Sequence, residues 1–87
     1  MSFQLSIITP QGKVFDGTVD SLAAPGLEGG FEVYSGHAAI VSALKDGKFK
    51  VRTGGHEQIL QTASGVLEVA PDHNVTVLVD SAVQTQE

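Results

Sequence analysis

Lys48-Phe49-Lys50-Val51-Arg52 sets a cation at every even position and an apolar side chain between them. A period of two sends Phe49 and Val51 to one face of an extended chain and the cations to the other, the pattern of a half-buried strand. Asp46-Gly47 before it and Gly54-Gly55 after it are turn signals. The two glycines then demand a return strand, and Glu57 to Ala63 supplies one. This stretch commits its neighbourhood to β-structure.

The same alternation extends toward both ends. Phe3, Leu5 and Ile7 alternate with Gln4 and Ser6, and Thr9-Pro10-Gln11-Gly12 closes that strand with a type I turn signature. Val14-Phe15 begins a return strand, with a turn or bulge expected at Asp16-Gly17. Thr18 to Ala24 is extended up to Pro25, and a glycine loop follows at Gly26, Gly29 and Gly30. Phe31-Glu32-Val33-Tyr34 alternates again. Ala38 to Leu44 mixes helix and strand formers, but β-branched Ile40 and Val41 and the short reach between Gly36 and Gly47 favour strand. Lys45-Asp46-Gly47 reads as a hairpin turn. Val66 to Val69 and Val75 to Val79 complete the pattern around a Pro71-Asp72-His73-Asn74 turn. Turn signals recur about every eight to ten residues without sustained helical periodicity, which predicts an all-β fold of about ten short strands. Two face-packed sheets, an antiparallel β-sandwich, bury what a single sheet would leave exposed.

Eighty-seven residues make one domain, expected over 1–82, with a short polar tail at 83–87. There is no cysteine, which removes disulfides, thiolate metal sites and a cysteine nucleophile. Five Lys+Arg against ten Asp+Glu leave a net charge of −5, the wrong sign for nucleic-acid binding through counterion release. Lys45, Lys48, Lys50 and Arg52 nevertheless crowd into eight positions; they read as the solvated edge of a hairpin, with a binding patch as the alternative. The start Met1-Ser2-Phe3 has no secretory pattern and no transit-peptide character, which points to a bacterial cytoplasm rather than an organelle.

Enzyme signatures are scarce. Ser64 lacks the spacing of a nucleophile elbow. Gly26, Gly29 and Gly30 echo a phosphate loop without its lysine or receiving helix. His37, His56 and His73 fall on separate turns and make a poor metal set. His37 reads equally as a turn histidine and as a partner contact. No catalytic residue, metal or cofactor is expected. Lys45 opens a carrier-domain alternative, since lipoyl and biotinyl domains are small sandwiches with a modified lysine at a hairpin tip, but Ala43-Leu44-Lys45-Asp46-Gly47 does not match their settings. A ligand-binding sandwich is the other alternative, poorly served by one tyrosine and no tryptophan.

Four blocks together resemble the N-terminal β-sandwich of the epsilon subunit of F-type ATP synthases: Ile8 to Gly17, Gly26 to Ala39, Ser64 to Val69, and Asn74 to Ala82. They stand in the family's order and spacing and cover the chain from about Leu5 to Ala82. The resemblance implies a non-catalytic central-stalk subunit that binds the gamma subunit, rests on the polar loops of the c-ring and couples ring rotation to ATP synthesis. It also implies a peripheral place on the cytoplasmic face of the bacterial inner membrane, or an organellar one. On this carry-over the c-ring side is the loop Gly26 to Glu32, with Gly26, Glu28, Gly29, Gly30, Phe31 and Glu32 as its residues and Glu28 as the favoured carboxylate. His37 falls near the gamma side. Ser35 and Ala39 stand where the family's Pro-Gly-His-Ala-Pro turn has prolines, and the second acid of its Glu-Gly-Glu run is displaced to Glu32. The family's C-terminal helical hairpin, which in some members inhibits hydrolysis or binds ATP, is not expected in this chain.

Overall fold

A computed structural model describes residues 1–85. Ten strands follow one another: β1 (Phe3–Thr9), β2 (Gly12–Val19), β3 (Ser21–Gly26), β4 (Gly29–Tyr34), β5 (Ile40–Leu44), β6 (Gly47–Thr53), β7 (His56–Thr62), β8 (Gly65–Val69), β9 (Val75–Val79) and β10 (Ala82–Thr85). They form two five-stranded sheets. Sheet I runs β10-β7-β6-β3-β4 and sheet II runs β5-β8-β9-β1-β2, joined through a single register pair, Gly26 with Leu44. Hydrogen bonds donated by the Leu27 amide to the Ala43 carbonyl (2.9 Å) and by the Lys45 amide to the Pro25 carbonyl (3.0 Å) reinforce that seam. The result is the expected all-β sandwich, nearly closed into a barrel.

The alternation in the sequence decides which face each strand buries. Leu5 and Ile7 of β1, Leu22 of β3, Phe49 and Val51 of β6, and Leu67 of β8 are at most 1% exposed and meet between the sheets. Fully burying a side chain of this size stabilises the fold by about 1.5–3 kcal/mol. Thr9 and Thr62 are the buried polar residues among those described; the Thr9 hydroxyl donates to the Gly12 carbonyl (3.1 Å) and accepts from the Gln11 amide (3.2 Å), and the Thr62 hydroxyl donates to the Gly47 carbonyl (3.5 Å). The β6–β7 hairpin turns on Gly54 and Gly55, whose φ values of 55° and 88° suit the tight turn matched to strand twist.

Several local expectations are corrected. The irregularity in β2 lies at Val14, where the register jumps from Ile7–Phe15 to Ile8–Lys13, and Asp16-Gly17 continues the strand. Lys45-Asp46-Gly47 is no hairpin: β5 pairs with β8 and β6 with β3 and β7, so this segment crosses between sheets. β6 is therefore an interior strand, and its cations line a sheet face rather than an edge. β1 and β9 pair in parallel, Leu5 beside Val75, within an otherwise antiparallel set. Ala82–Thr85 adds β10 to the side of β7, running from the last residue of the expected domain into the stretch expected as tail. The expectation for residues 86–87 lies outside the described residues.

Candidate partner-binding surfaces

The segment expected as a loop from Gly26 to Glu32 is a β-hairpin. Its register is unbroken from Ser21–Tyr34 to Gly26–Gly29, which leaves only Leu27 and Glu28 in the turn. Gly29 has φ 137°, a conformation that side chains rarely adopt. Gly26 is glycine for a different reason: a methyl there would stand 2.5 Å from the Gly29 carbonyl oxygen and 2.8 Å from the Phe31 ring. Gly30, Phe31 and Glu32 belong to β4. Glu32 is four residues beyond Glu28, roughly 13 Å along an extended chain, so only Glu28 stands at the tip. Beside it is Leu27, 60% exposed. Sequence reasoning passed over Leu27; an apolar residue in a two-residue turn, where polar ones are usual, is the signal that marks it. A hollow of about 430 Å³ lies against the tip, walled by the hairpin and by Val41, Ser42 and Ala43 of β5.

His37 stands at the opposite end. Gly26 is tied to Leu44, Leu44 to Gly65 and Gly65 to Val79, whereas the β4–β5 loop that holds His37 precedes Ile40, which pairs with Val69 beside the β8–β9 turn. The His37 ring uses Nδ1 on the Ala38 carbonyl (2.7 Å), and His73 Nδ1 reaches the His37 carbonyl (3.1 Å). The structure thus brings His37 and His73 together, with His56 on the separate β6–β7 hairpin. No group of three metal-ligating side chains occurs among the described residues. Lys45 lies at the crossing between sheets, so it is not presented on a hairpin tip as a carrier lysine would be.

The two outer faces differ in chemistry. Across sheet II, Ala43 stands beside Val66, Val66 beside Leu78 and Leu78 beside Ile8, an apolar row over four strands. Leu78 is 48% exposed. The next row begins with exposed Val41 on β5 and continues through polar Glu68, Thr76 and Ser6. Across sheet I, Lys48, Lys50 and Arg52 share a cleft of about 510 Å³ with Lys45, Glu32 and the small residues Ala23 and Gly30. Arg52 is paired with Glu57 at 3.2 Å. The Tyr34 hydroxyl donates to the Glu32 carboxylate, and this bond together with the carboxylate's charge holds the phenol above its usual pKa. On the β1–β2 side, Lys13 bonds Asp16 at 3.2 Å; that bond first, then the Ser6 hydroxyl and the Lys13 charge, holds the Asp16 carboxyl below its usual range.

Residues 2–85 match the family described as the ATP synthase, Delta/Epsilon chain, beta-sandwich domain. The chain belongs to that family. Among solved structures, the Delta/Epsilon sandwich resembles a chain of the Euglena gracilis mitochondrial ATP synthase, in its OSCP/F1/c-ring assembly, with a TM-score of 0.90 and 21% identity. That match covers 95% of this chain and 53% of the other. A chain of the Tetrahymena thermophila mitochondrial ATP synthase, from its central stalk and c-ring, gives a TM-score of 0.81 and 18% identity. It is covered to 66%, against 95% of this chain. The Delta/Epsilon sandwich therefore spans between half and two thirds of the length of these structural relatives. At such identities the likeness is one of fold.

Proposed function

We propose that this Delta/Epsilon sandwich is a non-catalytic subunit of the central stalk of a rotary F-type ATP synthase. On this reading it binds the gamma subunit, rests on the polar loops of the c-ring and couples proton-driven ring rotation to ATP synthesis. The observation that carries the proposal is the family match over residues 2–85. The geometry agrees with it. A coupling part needs two separate contact surfaces on a body that does not hinge, and ten strands in two joined sheets supply such a body.

The tip of the β3–β4 hairpin is the surface we assign to the c-ring. Glu28 and Leu27 project there, with Gly29 and Gly30 leaving the backbone open to close approach. Phe31 and Glu32 extend the same element away from the tip. The outer face of sheet II is the surface we assign to gamma, because its row from Ala43 to Ile8 is the exposed apolar stripe a protein partner would cover. His37 borders that face from the far end. The subunit's place is then peripheral, at the cytoplasmic face of a bacterial inner membrane or the corresponding organellar one, held there through the complex.

Size-exclusion chromatography with a purified ATP synthase gamma subunit tests the reading. Co-elution as a one-to-one complex is expected. Separate elution of two demonstrably folded proteins would overturn it.

A further inference from the structure

Four of the chain's five cationic residues line one cleft, although the chain as a whole carries a net charge of −5. The cleft crosses the outer face of sheet I and shares Gly30 and Phe31 with the hollow at the hairpin tip, but none of its lining residues belongs to the apolar row of sheet II. Its cations stand in a row on β6, where Lys48, Lys50 and Arg52 alternate with the buried Phe49 and Val51. The strand is interior, hydrogen-bonded to β3 on one side and β7 on the other. From Lys50 to Arg52 the backbone is paired on both sides, so side chains are what that part of the strand offers a ligand. On the same face Ile59 stands opposite Lys50 and is 8% exposed, which gives the cation row an apolar footing. Ala23 and Gly30 keep the neighbouring ground low. Within the described residues no ion pair engages Lys45 or Lys50.

We infer that this face docks an extended acidic segment of a partner protein, one that presents carboxylates at alternate residues. Successive β6 cations lie about 6.6–6.8 Å apart, the interval between same-side residues of a second extended chain. Three cations spread over five residues of an extended strand cannot converge on one phosphate group. No helix N-terminus, the usual reinforcement of a phosphate site, occurs among the described residues, and the backbone from Lys50 to Arg52 is already paired on both sides. Arg52 favours carboxylate recognition through its planar fork, and Glu57 keeps that fork oriented until a stronger acceptor arrives. The inference stands apart from the stalk assignment and does not require it.

The test titrates the 87-residue chain with a decapeptide of alternating glutamate and serine, followed by amide chemical shifts. Saturable shifts centred on β3, β6 and β4, weakened by added salt, are expected. A Lys45→Glu/Lys50→Glu variant, whose changes are confined to exposed positions, should bind this peptide at least about tenfold more weakly while keeping its melting temperature. The same variant should gain binding to a lysine-serine decapeptide. A flat titration would overturn the inference. So would equal binding of a peptide with its five glutamates in one block, which would reveal diffuse charge attraction. Tighter saturation of the same amides by inorganic pyrophosphate, or sedimentation with phosphatidylglycerol-rich vesicles that the decapeptide fails to displace, would assign the face to phosphate or to membrane instead.

Discussion

Tyr34 and Glu32 show how a single contact sets a residue's chemistry. Position 34 is two residues beyond 32 on β4, so both side chains leave the same face, and the phenol donates to the carboxylate. Ionising the phenol would set two negative charges side by side, which is why its pKa rises. A group whose folded pKa lies above its unfolded value stabilises the fold below the unfolded pKa, near 10, and that contribution fades as pH climbs through the folded pKa. Since Tyr34 is the chain's only tyrosine, ultraviolet titration reads it directly. The midpoint is expected above the ordinary tyrosine value and should return toward it in Glu32→Gln; an unchanged midpoint in that variant would refute the assignment. Asp16 runs the other way, its contribution present above the ordinary carboxylate pKa and lost as pH falls through its lowered one. Residue identity made Glu32 and Tyr34 legible as exposed strand positions. Their bond was not legible, because it depends on rotamers that a pattern of two does not specify.

Strands are where the sequence spoke most clearly, and junctions are where it misled. β1, β6 and β9 were visible as alternating runs because one face of each is buried and the other is wet. The Lys45-Asp46-Gly47 junction carries hairpin chemistry yet serves a crossing between sheets, since local turn preference cannot say which strand comes next in space. The cations of β6 followed from the same error: placed on an edge they look protective, placed on an interior strand they form one wall of a cleft. Gly65 marks another junction, where β8 begins between Leu44 and Val79. A methyl there would overlap the Leu78 carbonyl oxygen and lie 2.8 Å from the Val79 Cα, both backbone atoms of the adjacent strand. Gly65→Ala should therefore cost about 3 kcal/mol or more, and a thermal melt should show a fall of roughly 12–24 °C. A fall of only a degree or two would mean that β9 shifts easily.

At the scale of the molecule, chemistry is divided among surfaces that the linear order interleaves. Residues 41–43 face the hollow at the hairpin tip, residue 45 faces the basic cleft, and residue 66 belongs to the apolar row. The candidate list from sequence includes Gly26, Glu28 and Gly29 of the hairpin turn. It left out Leu27 and the whole outer face of sheet II, because that face is assembled from four strands scattered between residues 8 and 78. Leu78→Asp puts a charge into the middle of the apolar row at a half-exposed position. Gamma co-elution should be lost, with affinity down at least about tenfold, while the melting temperature changes by only a few degrees. Retained co-elution at full stoichiometry would move the gamma contact elsewhere.

The parallel pairing of β1 with β9 has a consequence for how the chain comes into being. Leu5 meets Val75, its neighbour in the finished sheet, only after seventy more residues have been made. At a synthesis rate of about 5–20 residues per second, that interval lasts roughly 4–14 s. Throughout it β1 can pair with β2, but its other border stays open, a row of backbone groups ready to accept any strand that passes. The birth of this domain at the ribosome is thus governed by its last strands, and the time its first strand spends waiting is the period in which a chaperone would matter most.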